Sequence, residues 1–320
     1  MQAVQFSRFG SPEVLELIDL PMPAPAKGEV LVEVKAAGVN FFEVLMRADQ
    51  YAVTPPLPMV PGVEVAGVVE AVGEGVDQAL VGARVAVPLF AIGRAGGYAE
   101  YVAVDADALI PVPETLAFED AVALMVQGLT ALHLIRQNPV AGRRILVTAA
   151  AGGVGSLLIQ LARGGGAGVI LAAAGSERKR AFALSLGADQ ALDYTRQGWA
   201  TEVDADIVFD LVGGDISKAC IAVLKQNGKL VLAAMGRFSL EHADIEAMLA
   251  ANQSLQGFSL LPLLTKDGLA RDFAELFRLA GGGELKVVRG GTFPLAAAAD
   301  AHRAIESRDT IGKIVLVTEG

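Results

Sequence analysis

The stretch Ile145-Leu-Val-Thr-Ala-Ala-Ala-Gly-Gly-Val-Gly-Ser-Leu-Leu-Ile-Gln-Leu-Ala-Arg163 decides the fold. An apolar run at 145–148 ends in small residues and then Gly152, Gly153 and Gly155. Beyond it, Val154, Leu157, Leu158 and Leu161 recur at helical spacing. Strand, tight glycine turn and helix, in that order, form the context that a dinucleotide-binding fingerprint requires. Glycines let the backbone approach a pyrophosphate, and the N–H groups at the helix start meet its charge. Ala151, Gly152, Gly153, Val154 and Gly155 are therefore the expected phosphate turn, with Ala150 where the usual first glycine stands. A strand–helix turn without a ligand would use the same small residues, so the flanking pattern carries the functional reading.

Outward from this turn, strand and helix patterns alternate. Strands are predicted at 169–173, 207–211 and 230–235, and helices at 178–186 and 217–226. Such alternation implies a parallel sheet with helices on both faces. Upstream, residues 1–110 read as short strands, at 30–36, 64–72, 84–88 and 99–104, separated by proline and glycine turns. A helical stretch at 119–134 precedes the fingerprint. After a strand candidate at 255–261 the alternation stops, and a helix at 269–279 and a final strand at 314–317 close the chain. The expected architecture is an α/β one: a doubly wound parallel sheet, residues 122–262, inserted into a mostly β domain built from 1–121 and 263–320. Ligand is expected in the cleft between the two.

Composition narrows the function. The chain has 320 residues, a formal charge of −10 and 53% apolar residues. No uninterrupted apolar run reaches the roughly 18 residues of a membrane span, and the start, MQAVQFSRFGSPEVL, lacks the pattern of a secretory signal. The expected location is the cytoplasm. The acidic balance argues against nucleic acid as a partner. The one cysteine, Cys220, lies in an apolar periodic segment and reads as a buried small hydrophobe.

The run Pro61-Gly-Val-Glu-Val-Ala-Gly-Val-Val, then Gly97-Tyr-Ala-Glu-Tyr, the Ala-Ala-Ala-Gly-Gly-Val-Gly turn and Gly312-Lys-Ile-Val-Leu resemble the medium-chain dehydrogenase/reductase superfamily. Val39-Asn40-Phe41 with Arg47 and Tyr51 resembles its zinc-independent, zeta-crystallin-like NADPH:quinone oxidoreductase branch. The resemblance implies a Rossmann-type domain inserted into a GroES-like catalytic domain. Zinc-dependent members hold a metal through a cysteine that falls near Asn40 here and a histidine that falls at Val63. His133, His242 and His302 are dispersed, so no zinc is expected. The sequence departs from the family's usual pattern at Ala83, Glu43 and Leu45.

NAD-specific sites place an acid about 20 residues beyond the glycines to bond the ribose 2′-OH. That region here reads Ala173-Ala-Gly-Ser-Glu-Arg-Lys-Arg180, a neutral strand end followed by three cations. Glu177 competes for the role, but it falls where a helix start favours an acid. A hydroxyl and a cation suit a 2′-phosphate better, so NADPH is the expected cofactor. The resemblance makes Ser176, Lys179 and Tyr194 its adenosine-phosphate contacts. It also makes Thr130, expected in the last turn of its helix, a contact on the nicotinamide side. Val212, Gly213 and Gly236 follow strand ends on the carboxyl edge, where a dinucleotide lies and where ordinary turn chemistry also places small residues.

Hydride transfer to a carbonyl-conjugated acceptor needs the acceptor placed and its developing oxyanion stabilised. The candidates are Asn40, Arg47 and Tyr51. Asn40 can donate an amide N–H. Tyr51 can donate a phenol proton or simply pack. Arg47 can assist electrostatically or pair with Glu43 at helical spacing. The reading is an NADPH-dependent reductase of quinones or other α,β-unsaturated carbonyls, acting on a small, planar, apolar electrophile. Two alternatives stay open: a 2-enoyl thioester (enoyl-CoA or acyl-carrier) reductase, and a low-turnover NADPH-binding structural or regulatory protein. A homodimer paired through an edge strand is expected.

Overall fold

A computed structural model describes residues 1–234 and 238–318. The expected cofactor contact Gly236 lies outside the described residues. The chain divides into two compact units, one made of Met1–Val126 and the segment from Thr265 on, the other of Gln127–Leu264.

The first segment is built from short strands. β1 (Gln2–Gln5) and β2 (Glu16–Asp19) form an antiparallel ribbon. There follow β3 (Glu29–Val39), α1 (Phe41–Arg47), β4 (Val65–Val72), β5 (Arg84–Val87), β6 (Tyr101–Asp105), β7 (Ile110–Pro111) and α2 (Phe118–Ala123). β3 is long and mostly buried, and it pairs antiparallel with β4 and with β6. Val30, Val32, Val34, Val65, Val69, Val85 and Val104 close over its core, as β-branched side chains on a pleated, buried sheet do.

In the second unit α3 (Val126–Gln137) leads to β8 (Arg144–Val147), α4 (Gly153–Gly164), β9 (Val169–Ala173), α5 (Glu177–Ser185) and β10 (Gln190–Leu192). β11 (Ala205–Asp210), α6 (Asp215–Val223), β12 (Leu224–Leu232), α7 (His242–Ala250) and β13 (Ser254–Gly257) complete it. All five strand pairings are parallel, in the order β10-β9-β8-β11-β12-β13. This is the doubly wound order, with its reversal between β8 and β11, so the carboxyl ends of those strands form the natural ligand crevice. Cys220 is buried in this unit's core beside Val208 and Leu230. The chain then returns to the first unit as α8 (Lys266–Gly281), β14 (Arg289–Pro294), α9 (Ala298–Glu306) and β15 (Lys313–Val317), and β15 pairs antiparallel with β3.

Three local expectations are corrected. The helix expected at 119–134 is two helices, broken at Leu124 and Met125, and α3 starts afresh where a side chain, Glu64, accepts the Val126 N–H. Thr130 consequently lies in the first half of α3 instead of its last turn. The helix expected at 217–226 stops at Val223, because Leu224 turns extended and pairs with Ala205 at once.

Candidate active site

The glycine turn is held by close contacts that only small residues permit. Gly152 is the N-cap of α4 and Gly155 sits in its first turn. A Cβ on Gly155 would stand 2.4 Å from the Ala149 carbonyl oxygen and 2.8 Å from the Ala150 Cα. At Gly153 it would come within 2.8 Å of the Gln127 side chain. The first N–H groups of a helix have no carbonyl within the helix to bond, so this start is built to receive an anion. The glycine cradle therefore fits a dinucleotide pyrophosphate.

Next to it, Thr148 and Asp210 join the ends of β8 and β11. The Thr148 hydroxyl donates to Asp210 Oδ1 at 3.0 Å and accepts the Leu211 N–H at 2.8 Å. Asp210 also takes the N–H groups of Val212 (2.9 Å) and Gly213 (3.2 Å) and the Ser217 hydroxyl. Val212 and Gly213 are thus fixed by a buried carboxylate, with Gly213 at φ 90°, where glycine is favoured.

At the end of β9, Ser176 is the N-cap of α5, and its hydroxyl accepts the Lys179 N–H at 3.4 Å. Gly175 keeps the Tyr194 ring close, since a Cβ there would meet Tyr194 Cε2 at 3.3 Å. Ser176, Lys179 and Tyr194 are brought together, all half-buried. Of the three cations, Arg180 is tied to Asp193 at 2.8 Å and donates to the Ala174 carbonyl, while Arg178 is exposed. Glu177 is also exposed, in the first turn of α5.

In the first unit, Asn40, Glu43, Glu64 and Lys313 form a buried polar cluster. Asn40 caps α1, and its Nδ2 donates to Glu43 Oε2 and to Glu64 Oε1, each at 2.9 Å, while its Oδ1 accepts from Lys313 Nζ at 2.8 Å. Lys313 is also ion-paired with Glu64. Both Nδ2 hydrogens are therefore directed at carboxylates, not held ready for a carbonyl. Burial pushes the Glu43 carboxyl up to about 7; the Asn40 hydrogen bonds and the Lys313 charge pull the other way, and the Glu64 charge adds to the rise.

Arg47 is 2% exposed, and its partner is not Glu43. It donates through Nε to the Gly10 carbonyl at 3.0 Å and pairs with Glu306 on α9. Glu43 faces the other way because Asn40 and Gly62 supply its donors. Tyr51 is half-buried beside Phe42, ring centroids 5.7 Å apart and tilted by 35°. Deeper in the unit, Tyr98 Oη lies 3.2 Å from His302 Nε2, and burial with the Arg47 charge pushes His302 down to about 3.

Glu64, Lys313 and His302 were missed as a set by the sequence reading. Their signal was present: each of the first two is a charge interrupting an apolar strand run, and the two charges are opposite. Gly38 is the backbone counterpart, since a Cβ there would stand 2.2 Å from Glu64 Oε1. Among the described residues, no group of three or more His, Cys, Asp or Glu side chains could hold a metal ion. No helix among them is long and apolar enough to cross a membrane.

Residues 26–114 match the alcohol dehydrogenase GroES-like domain, and residues 186–316 match the family described as zinc-binding dehydrogenase. The chain is 33% identical to a quinone oxidoreductase of Salmonella typhimurium over 98% of both chains. A solved mycobacterial structure complexed with NADPH is 34% identical, with a TM-score of 0.89 over 99% of this chain and 100% of that one. The quinone oxidoreductase of Thermus thermophilus, solved alone and with NADPH, is 35% identical, with a TM-score of 0.84 over 99% and 100%. Likeness of this extent, on a GroES-like strand unit and a doubly wound sheet, makes the chain a member of the quinone-oxidoreductase branch of the medium-chain dehydrogenase/reductase superfamily.

Proposed function

We propose that the protein reduces quinones or other α,β-unsaturated carbonyls with NADPH and without zinc. The observation that carries this reading is the end of β9. There Ser176, Lys179 and Tyr194 gather where an NAD site would place an acid, and of the acids close by in sequence Glu177 is exposed in the α5 first turn while Asp193 is paired with Arg180. When bound, the dinucleotide supplies the hydride. The chain's own residues do the rest. Ala151, Gly152, Gly153, Val154 and Gly155 hold the pyrophosphate on backbone N–H groups. Lys179 and the Ser176 hydroxyl meet the 2′-phosphate, and Tyr194 covers the adenosine side. Thr130, Val212 and Gly213 line the remaining length.

On the acceptor side, Tyr51 is the side chain with a proton to give, and its phenol hydrogen-bonds the acceptor oxygen as charge develops there. A quinone or enone needs little more, because conjugation carries the incoming charge. Asn40 and Arg47 act from behind: Asn40 anchors the start of α1, and Arg47 anchors its end to Gly10 and Glu306. Complexes of relatives with NADPH support the cofactor. The lone buried Cys220 suits a reducing compartment, and we place the protein in the cytoplasm. Among the described residues β13 pairs only with β12 and leaves Leu255 exposed, and Leu249 and Leu261 near it in sequence are exposed too. We assign this edge to a homodimer contact.

The test is titration with NADPH and NADH, then addition of 1,4-benzoquinone and, in parallel, an enoyl-CoA. Quinone-dependent oxidation of NADPH is expected. Turnover of the enoyl-CoA alone would move the assignment to thioester reduction, and binding without turnover of either acceptor would sink the reductase reading.

A further inference from the structure

The Glu43 carboxylate lies at the base of a loop. Its Oε2 accepts the Asn40 N–H and the Asn40 amide, and its Oε1 accepts the Gly62 N–H, each at 2.9 Å. Asn40 precedes α1, and Gly62 follows the segment 48–61, so one side chain ties together both ends of the stretch that carries Tyr51. Gly62 has no freedom to yield. Its φ is 95°, and a Cβ there would stand 2.4 Å from the Tyr98 nitrogen. Within the loop, Met59 exchanges both backbone hydrogen bonds with Phe6 at 3.0 Å, and the Thr54 hydroxyl donates to Asp49 at 2.8 Å. Phe42, one residue before Glu43, stacks at a tilt on Tyr51.

We propose that Glu43 is a positioning residue that closes the base of the 48–61 loop and, with Phe42, sets where the Tyr51 phenol meets the acceptor. The part concerning the acceptor rests on the function proposed above; the closure does not. The charged and titratable groups facing Glu43 are Glu64, which opposes its ionisation, Lys313, which favours it, and Tyr98, which burial keeps neutral. Burial raises the closed Glu43 carboxyl from 4.5 to about 7, so closure holds a proton that an opened, solvated carboxyl releases, and it weakens as pH rises from 4.5 toward about 7.

Hydrogen exchange of the wild-type protein, read peptide by peptide at about pH 6 and about pH 8.5 and corrected for intrinsic rates, tests the closure. Peptides within 48–62 are expected to exchange about tenfold faster at the higher pH, the effect of the one unit between pH 6 and about 7, while β4 peptides do not change. Glu43→Gln, uncharged at both pH values, is expected to exchange alike at both. The wild-type KM for 1,4-benzoquinone should rise about tenfold between the two pH values with little change in kcat, and this rise should disappear in the variant. Corrected wild-type exchange that is the same at both pH values overturns the proposal, whether or not the variant folds. So does a folded Glu43→Gln protein with wild-type exchange. Absence of quinone turnover in the wild type would count against the proposed function, and the exchange result would still decide the closure.

Discussion

At the scale of single residues, the role proposed for Lys179 is to separate the two nicotinamide cofactors. A charge-assisted hydrogen bond to a phosphate is worth roughly 1.5–3 kcal/mol. Lys179→Ala is therefore expected to weaken NADPH binding by about 10- to 100-fold and to leave NADH binding unchanged, measured by titrating each cofactor. Equal losses for both would mean that Lys179 only supports the turn. A second residue-scale prediction concerns two buried groups shifted in opposite directions. His302 is held neutral down to about 3, so its contribution to stability is complete above its ordinary value of 6.5 and is lost as pH falls from there. Glu43 is shifted up from 4.5 to about 7, so its contribution is complete below 4.5 and is lost as pH rises toward 7. Between about 4.5 and 6.5 the two slopes cancel. Denaturant titrations should show His302→Gln losing up to about 1.4 kcal/mol of stability per pH unit across that window as pH rises, and Glu43→Gln gaining it. Parallel pH profiles for both variants would contradict these assignments.

At the scale of elements, the glycine turn makes a sharper demand than its sequence pattern conveys. A methyl on Gly155 meets backbone atoms of Ala149 and Ala150, which cannot rotate away. Gly155→Ala should cost about 1–3 kcal/mol in thermal or chemical unfolding and abolish tight NADPH binding, whereas an unchanged protein would mean that the turn has room to spare. The alternation of strand and helix from 145 on was legible because buried parallel strands write continuous apolar runs, and β9 falls at Val169–Ala173 where its pattern put it. What was not legible depends on contacts distant in sequence. Glu64 starts α3 by accepting the Val126 N–H, and this breaks a helix whose apolar spacing continues across the gap. Arg47 has a carboxylate at helical spacing in Glu43, yet Asn40 and Gly62 supply the donors to that carboxylate and Glu306 takes the arginine. The candidates carried by a local motif, such as Gly155 and Ser176, can be read from the sequence. Those assembled from separate strands, such as Glu64 and Lys313, were missed. Glu64→Gln would remove the carboxylate ion-paired with Lys313, which is 3% exposed, and should destabilise the first unit by about 3–5 kcal/mol.

At the scale of the whole molecule, the closed and open edges differ. Among the described residues β13 ends its sheet with one side unpaired and Leu255 exposed, which a monomer would have to protect. Leu255→Lys should shift the protein from dimer to monomer by light scattering at micromolar concentration; a wild-type monomer would remove the dimer from the proposal. The function of the whole chain rests on the cofactor it selects and the acceptor it reduces. The most direct measurement is steady-state oxidation of NADPH and of NADH by 1,4-benzoquinone at matched concentrations. Turnover with NADPH at a kcat/KM at least about tenfold above that with NADH, the discrimination expected of one phosphate contact, is the predicted result. Preference for NADH, or no quinone-dependent oxidation of either, would contradict it.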